Sequence, residues 1–250
     1  MKKFELTENF KMHFGKKLFK IRALVDLECG IKTGELGGYV EKEENLDQSG
    51  NAWVYGNAQV SGNARVFGDA QVYGNARVFG DARVSGNAEV SGNAQVFGDA
   101  EVSGDAQVYG NAWVYGNAEV SGDAWVSGNA EVSGNAQVSG NAWVYGNAEV
   151  SGNARVSGNA QVFGDAWVFG DAWVFGNADI LQITGLGTCN RTTTAFRTKN
   201  GVRVKCGCFY GNVEQFREQV KRTREGKVQA EYLKFAELIE IYFEEVKANE

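Results

Sequence analysis

Small hydrophobic residues recur along the middle of the chain with a strict period of six. Ala occupies every sixth position from Ala52 to Ala178, and a Val follows two residues after each Ala as far as Val174. Each Val is preceded by a variable residue and followed by Ser, Tyr or Phe, and then by Gly-Asn or Gly-Asp. The unit is therefore Val-[Ser/Tyr/Phe]-Gly-[Asn/Asp]-Ala-x, which indicates a repeat architecture.

The unit itself predicts a short strand followed by a turn. In an extended segment x-Val-[Ser/Tyr/Phe], the Val points to one side and its two neighbours point to the other. Gly with Asn or Asp tolerates the left-handed backbone that a tight turn needs. Ala then fits an inward corner. Six residues make one side of a prism, three sides make a coil of eighteen residues, and the uninterrupted hexads predict about seven coils.

The predicted fold is an all-β solenoid, a left-handed parallel β-helix, with a right-handed β-helix as the alternative. We assign residues 48–183 to the solenoid, 1–47 to an N-terminal β cap and 184–250 to a C-terminal ββαα module. The cap contains a predicted hairpin around Gly15. The module is predicted from the hairpin signal before Gly201 and from two amphipathic helical segments beyond it.

Two further helix signals lie in that module. Asn212 is placed to cap the first predicted helix, and Gly226 marks its predicted end. The second helix is predicted over roughly 228–247. The apolar faces of both helices are expected to form a small core and a contact with the end of the solenoid, with a partner-binding groove as the alternative.

The hexad resembles the repeat of hexapeptide left-handed β-helix proteins. The flanks Ile21–Leu24 and Gly34–Leu46, and the tail segments Thr192–Thr198 and Val204–Phe209, are similar to a phage and prophage family that carries this repeat. The resemblance implies a phage setting and the left-handed fold. Relatives are often labelled acetyltransferase-like on the repeat alone, so the resemblance implies no particular reaction.

Charge and apolar content restrict the environment and the partners. The chain has a net charge of −6, and only four basic residues, all arginines, lie between 48 and 180. An acidic solenoid repels phosphates, so nucleic-acid binding along its length is disfavoured. The sequence shows no long apolar run at its start or elsewhere. We therefore expect a cytoplasmic protein without membrane contact, located in the host cytoplasm if it is phage-encoded.

Few residues suit catalysis or metal binding. Acyltransferases of the hexapeptide class use a histidine between coils, whereas the only histidine, His13, precedes the repeats. Cys206 and Cys208 are expected on one strand face with Cys189 near them, as small buried hydrophobic residues rather than metal ligands. We therefore expect no enzyme, no cofactor and no metal.

The outward positions of the hexads carry the most information. Residues eighteen apart stack on one side of the prism, which predicts that Trp125 and Trp143 lie one coil apart with Tyr109 and Tyr145 beside them. These four residues are the candidate binding patch, because exposed aromatic clusters on soluble proteins often mark interaction sites. The alternative is a strut in which the rings only stiffen neighbouring coils.

The last coils place aromatic residues on all three sides. They are expected to mediate self-association or to be covered by the C-terminal module. These residues are Phe163, Trp167, Phe169, Trp173 and Phe175.

Taken together, these features favour a non-enzymatic, phage-associated scaffold for protein–protein interaction that forms a homo-oligomer and engages a host or defence protein. Two alternatives stay open. One is an oligomeric protein that sequesters a small ligand, and the other is a hexapeptide-type acyltransferase.

Overall fold

The computed structural model describes residues 2–188 and 191–245 and contains a three-sided parallel β-solenoid. Each hexad contributes a two-residue strand, and strands eighteen residues apart pair in parallel. Face 1 consists of Trp53–Val54, Gln71–Val72, Glu89–Val90, Gln107–Val108, Trp125–Val126, Trp143–Val144 and Gln161–Val162. Face 2 consists of Gln59–Val60, Arg77–Val78, Gln95–Val96, Trp113–Val114, Glu131–Val132, Glu149–Val150 and Trp167–Val168. Face 3 consists of Arg65–Val66, Arg83–Val84, Glu101–Val102, Glu119–Val120, Gln137–Val138, Arg155–Val156 and Trp173–Val174. The predicted solenoid of about seven eighteen-residue coils is confirmed.

The core of the solenoid is a column of Val and Ala side chains. Every repeat Val from Val54 to Val174 is fully buried, and the corner Ala residues from Ala52 to Ala172 are buried beside them. The turns require Gly: at Gly128 the backbone has φ +68°, and an added Cβ would lie 2.9 Å from the carbonyl oxygen of Gly146 in the next coil. Both the backbone conformation and the coil spacing therefore select Gly at the turn.

The N-terminal cap continues directly into the solenoid. Strands β1 (Phe4–His13) and β2 (Lys16–Ala23) form the predicted hairpin, and β2 pairs antiparallel with β3 (Leu36–Val40). A 3-10 turn, Glu43–Asn45, follows β3. Strand β3 then pairs in parallel with face 2, so it already belongs to the first coil.

That first coil is two residues longer than the others. Tyr39 pairs with Gln59, twenty residues further on, whereas Trp53 pairs with Gln71, eighteen residues further on. An isolated parallel β-bridge joins Leu46 to Val66, which are also twenty residues apart. The chain therefore enters the first coil out of phase with the later hexads.

The N-terminal end of the core is closed by Lys3, Phe4 and Trp53. Phe4 and Trp53 are fully buried and meet edge to face, with 6.3 Å between ring centroids. The ammonium of Lys3 donates hydrogen bonds to the carbonyl oxygens of Ser49, Gly50 and Ala52 at 3.2, 3.3 and 2.9 Å. The cap thus covers the apolar interior and satisfies carbonyl groups of the widened first coil.

The C-terminal module contains more strands than predicted. A 3-10 turn, Asn177–Asp179, leads into a four-stranded antiparallel sheet of Ile180–Leu186, Arg191–Thr198, Gly201–Cys206 and Phe209–Gly211. The predicted hairpin is present, but strands flank it on both sides, so the order is ββββαα rather than ββαα. The first of these strands also crosses the predicted boundary at 183/184.

Two helices complete the module. Helix α1 (Val213–Thr223) begins at the predicted cap, where the side chain of Asn212 accepts a hydrogen bond from the backbone nitrogen of Gln215 at 2.8 Å. Gly226 does not end this helix as predicted; it begins α2 (Gly226–Glu245). Within the described ranges, no helix is both long and apolar enough to cross a membrane.

Candidate interaction surfaces

The candidate binding patch is assembled on face 1 by the alternation of the strands. Val126 and Val144 are fully buried, so the preceding Trp125 and Trp143 project outward in register. The two indole rings stack with centroids 4.9 Å apart and planes 4° apart. Trp143 is 41 % exposed, which leaves much of the stacked pair in contact with solvent.

The predicted tyrosines lie beside this pair. Tyr109 meets Trp125 edge to face at a centroid distance of 6.2 Å. Tyr145 stacks on Phe163 at 5.4 Å. A shallow cavity of about 240 Å³ is lined by Tyr109, Trp125, Ser127, Trp143 and Tyr145. The structure therefore brings all four predicted patch residues together around one concave surface.

The five terminal aromatic residues do not form one uniform ring. Phe169 packs under the C-terminal sheet, with its centroid 4.4 Å from that of Tyr210 and 6.1 Å from that of Phe196. Phe163 instead extends the patch on face 1 through Tyr145. The module thus covers one side of the last coil and leaves Phe163, Trp167 and Phe175 partly exposed to solvent.

Lysines of the module partly cover the two terminal tryptophans. The Lys205 ammonium lies 4.0 Å from the ring centroid of Trp167, and that of Lys199 lies 5.2 Å from the ring of Trp173. Such cation–π contacts hold the module against the last coil. The module therefore wraps part of the last coil.

A second aromatic column lies on face 2 and is absent from the sequence-based candidates. Phe97 stacks between Phe79 and Tyr115, with both centroid distances at 4.9 Å. Trp113, which is 44 % exposed, meets Phe97 edge to face. The signal that would have found this column is the same eighteen-residue spacing that identified Trp125 and Trp143.

The carboxylates beside these columns link adjacent coils. The hydroxyl of Tyr115 donates to Glu131 at 2.7 Å, and that hydrogen bond raises the pKa of Tyr115. Tyr73 donates to Glu89 at 2.7 Å in the same arrangement. Burial, with the nearby Glu131, raises the pKa of Glu149. The two tyrosine–glutamate hydrogen bonds each connect one coil to the next and fix the orientation of the tyrosine ring.

The other candidate chemical groups are dispersed. His13 ends β1 at the hairpin, where burial and the neighbouring Arg77 and Lys11 lower its pKa. Cys206 ends a strand and accepts a hydrogen bond from Thr193, but Cys208 is exposed in the turn that follows, so the two do not share a strand face as predicted. Cys189 lies outside the described residues. Residues 2–188 and 191–245 contain no group of three or more His, Cys, Asp or Glu arranged to hold a metal ion.

Comparison with known proteins supports the repeat architecture. Five segments match the family model described as the YdcK beta solenoid repeat, at residues 58–70, 70–86, 106–122, 136–150 and 148–162. All of them lie in the solenoid, and together they cover a minority of the chain. No curated protein matches this sequence. The chain is thus similar to a β-solenoid repeat family over its coils.

Proposed function

We propose that this protein is a non-enzymatic, phage-associated scaffold whose solenoid presents the face 1 aromatic patch to a protein of the host, such as a defence protein, in the host cytoplasm. The observation that supports it most directly is the stacked, solvent-facing pair of Trp125 and Trp143. Tryptophan and tyrosine are the residues that most often dominate the affinity of protein interfaces.

The patch has the form that a protein partner requires. Its rings lie on a rigid ladder in which the backbone nitrogen of Trp125 donates to the carbonyl oxygen of Ala142 at 2.9 Å. The rings are therefore held in position before binding, which lowers the entropy cost of association. The shallow cavity between the rings could accept one side chain of the partner.

The core does not depend on the patch residues. Since Val126 and Val144 supply the buried contacts of these strands, replacing Trp125 and Trp143 opens no internal cavity. Loss of one stacked aromatic pair costs about 1 kcal/mol of stability, whereas each interface tryptophan typically contributes about 2 kcal/mol or more to binding. The two roles of the patch, strut and binding site, can therefore be separated by experiment.

The test compares a Trp125→Ala, Trp143→Ala double variant with a Trp113→Ala control. Trp113 is a comparably exposed tryptophan on face 2. We expect the double variant to keep a melting temperature near that of wild type. In an affinity pulldown from host lysate, we expect wild type and the control to capture a partner protein that the double variant does not capture. A steep drop in melting temperature with every interaction retained would assign the patch to a strut.

The non-enzymatic part of the proposal is tested separately. Purified protein incubated with acetyl-coenzyme A and small amine or sugar acceptors is expected to transfer no acetyl group. Transfer that disappears in a His13→Ala variant would instead establish the acyltransferase alternative.

A further inference from the structure

A groove runs between the N-terminal hairpin and face 2 of the solenoid, and we call it the hairpin groove. It encloses about 510 Å³. The hairpin side of the groove is lined by His13, Phe14 and Leu18. The solenoid side is lined by Gln59, Arg77 and Phe79. The volume lies in the range of sites that hold a small organic molecule, roughly 300–1,000 Å³.

The groove offers an apolar surface for such a molecule. Leu18 is fully buried at its base, and Phe79 begins the stacked column that continues through Phe97 and Tyr115. Phe14 lies at the hairpin tip and is 88 % exposed. An aromatic ring so exposed beside an apolar groove gains favourable burial when a ligand covers it.

The charge around the groove is positive although the whole chain is acidic. Within the described ranges the guanidinium of Arg77 forms no ion pair or hydrogen bond, and the partners of Arg77 in register on face 2 are the neutral Gln59 and Gln95. Lys11 lies near enough to Arg77 for the two positive charges to interact, and burial together with both cations lowers the pKa of His13, which favours its neutral form. Lys16 is already paired with Glu41 at 2.9 Å, so Arg77 is the cation available to an anionic ligand.

A polar group of the groove also lacks a partner. The side-chain oxygen of Gln59 is buried and accepts no hydrogen bond from the described residues. Leaving a buried acceptor unpaired is unfavourable, and a ligand N–H or O–H would satisfy it. The groove thus combines an apolar surface, a free guanidinium and an unsatisfied acceptor.

We propose that the hairpin groove binds a small amphipathic organic anion, with its apolar ring or chain against Phe14 and Phe79 and its acid group on Arg77. Guanidinium groups bind carboxylates and related oxyanions in a bidentate manner, which gives orientation as well as affinity. This site lies on a different face from the aromatic patch, so the inference does not rest on the proposed function.

The experiment is a fluorescence titration with 8-anilinonaphthalene-1-sulfonate, an aromatic sulfonate. We expect saturable binding at one site per chain and an affinity at least tenfold lower in Arg77→Gln. Glutamine already occupies the same column at Gln59 and Gln95, so this change preserves the register. Arg155→Gln, on face 3, is the matched control and is expected to bind as wild type does.

A neutral probe of similar shape separates charge from apolar contact. N-phenyl-1-naphthylamine is expected to bind more weakly to wild type and to be unaffected by Arg77→Gln. The proposal is overturned if the sulfonate shows no saturable binding, if Arg77→Gln leaves its affinity unchanged, or if Arg155→Gln weakens it equally. Should Arg77→Gln fail to fold, the exposed Phe14→Ser variant decides, and an unchanged affinity there also overturns the proposal.

Discussion

The side-chain nitrogen of Asn129 donates a hydrogen bond to the side-chain oxygen of Asn147, one coil further along, at 3.0 Å. Asn111 donates to Asn129 in the same way, and Asn147 donates to Asp165 at 2.9 Å. An amide both donates and accepts, whereas a carboxylate only accepts, so a column of Asn can continue from coil to coil but ends at Asp.

This difference predicts opposite effects for two matched substitutions. Asn129→Asp keeps the bond from Asn111 but places a carboxylate against the oxygen of Asn147, and we expect a loss of about 0.5–1.5 kcal/mol in the free energy of unfolding. Asp165→Asn, at the end of the column, is expected to be neutral or slightly stabilising. Urea denaturation measures both, and equal effects of the two variants would contradict the predicted difference between the middle and the end of the column.

Two turn glycines allow the cost of a left-handed backbone to be measured apart from the cost of a Cβ that approaches the next coil. Gly128 and Gly164 have similar φ angles, +68° and +63°, but an added Cβ at Gly164 meets no atom of the described residues within 4 Å. We expect Gly164→Ala to cost about 1–2 kcal/mol from the left-handed backbone alone.

Gly128→Ala is expected to cost about 3 kcal/mol or more, because its Cβ also approaches the next coil and forces the turns apart. Thermal denaturation followed by circular dichroism compares the two variants. Equal losses would mean that the coils can separate at a turn without cost.

Lys3 predicts an unusual dependence of stability on pH. Burial lowers its pKa to about 8 from the ordinary value of 10.5. Between these values the unfolded chain binds more protons than the folded chain, so the contribution of Lys3 to the free energy of unfolding rises as the pH increases from about 8 towards 10.5.

The measurement compares wild type, Lys3→Met and Lys2→Met by urea denaturation at pH 7.5 and 9.5. Lys2 is an exposed neighbour that pairs with Glu43, so its variant is the matched control. The free energy of unfolding of wild type minus that of Lys3→Met should increase from pH 7.5 to pH 9.5. The same difference for Lys2→Met should not change. Parallel behaviour of the two variants would contradict the prediction.

Self-association is expected through the terminal aromatic residues that the module leaves open. Phe163 and Phe175 are 41 % and 50 % exposed, and burial of these rings against a second copy of the chain would be favourable. Light scattering should give an oligomer for wild type at micromolar concentration and a smaller species for Phe163→Ser with Phe175→Ser. Phe14→Ser, at the opposite end, is the control; a monomeric wild type would refute the expectation.

The solenoid could be predicted in detail because each hexad specifies its own geometry. Gly128 sets a turn, Val126 an inward position and Trp125 an outward one, all within a few residues, and repetition at eighteen residues then brings Trp125 onto Trp143. Local chemistry and a constant period are sufficient for this, so the patch was accessible from the sequence alone.

The surroundings of the outward residues depended on contacts between distant parts of the chain. Phe163 and Phe169 occupy equivalent positions in successive hexads, yet the module covers only Phe169, through Phe196 and Tyr210. The hairpin groove likewise exists because the cap folds back over Arg77 on face 2. Neither the cap nor the C-terminal module repeats along the sequence, and each packs on the solenoid through contacts between residues far apart in the chain. Only the tertiary structure therefore shows which aromatic rings are covered and which are exposed.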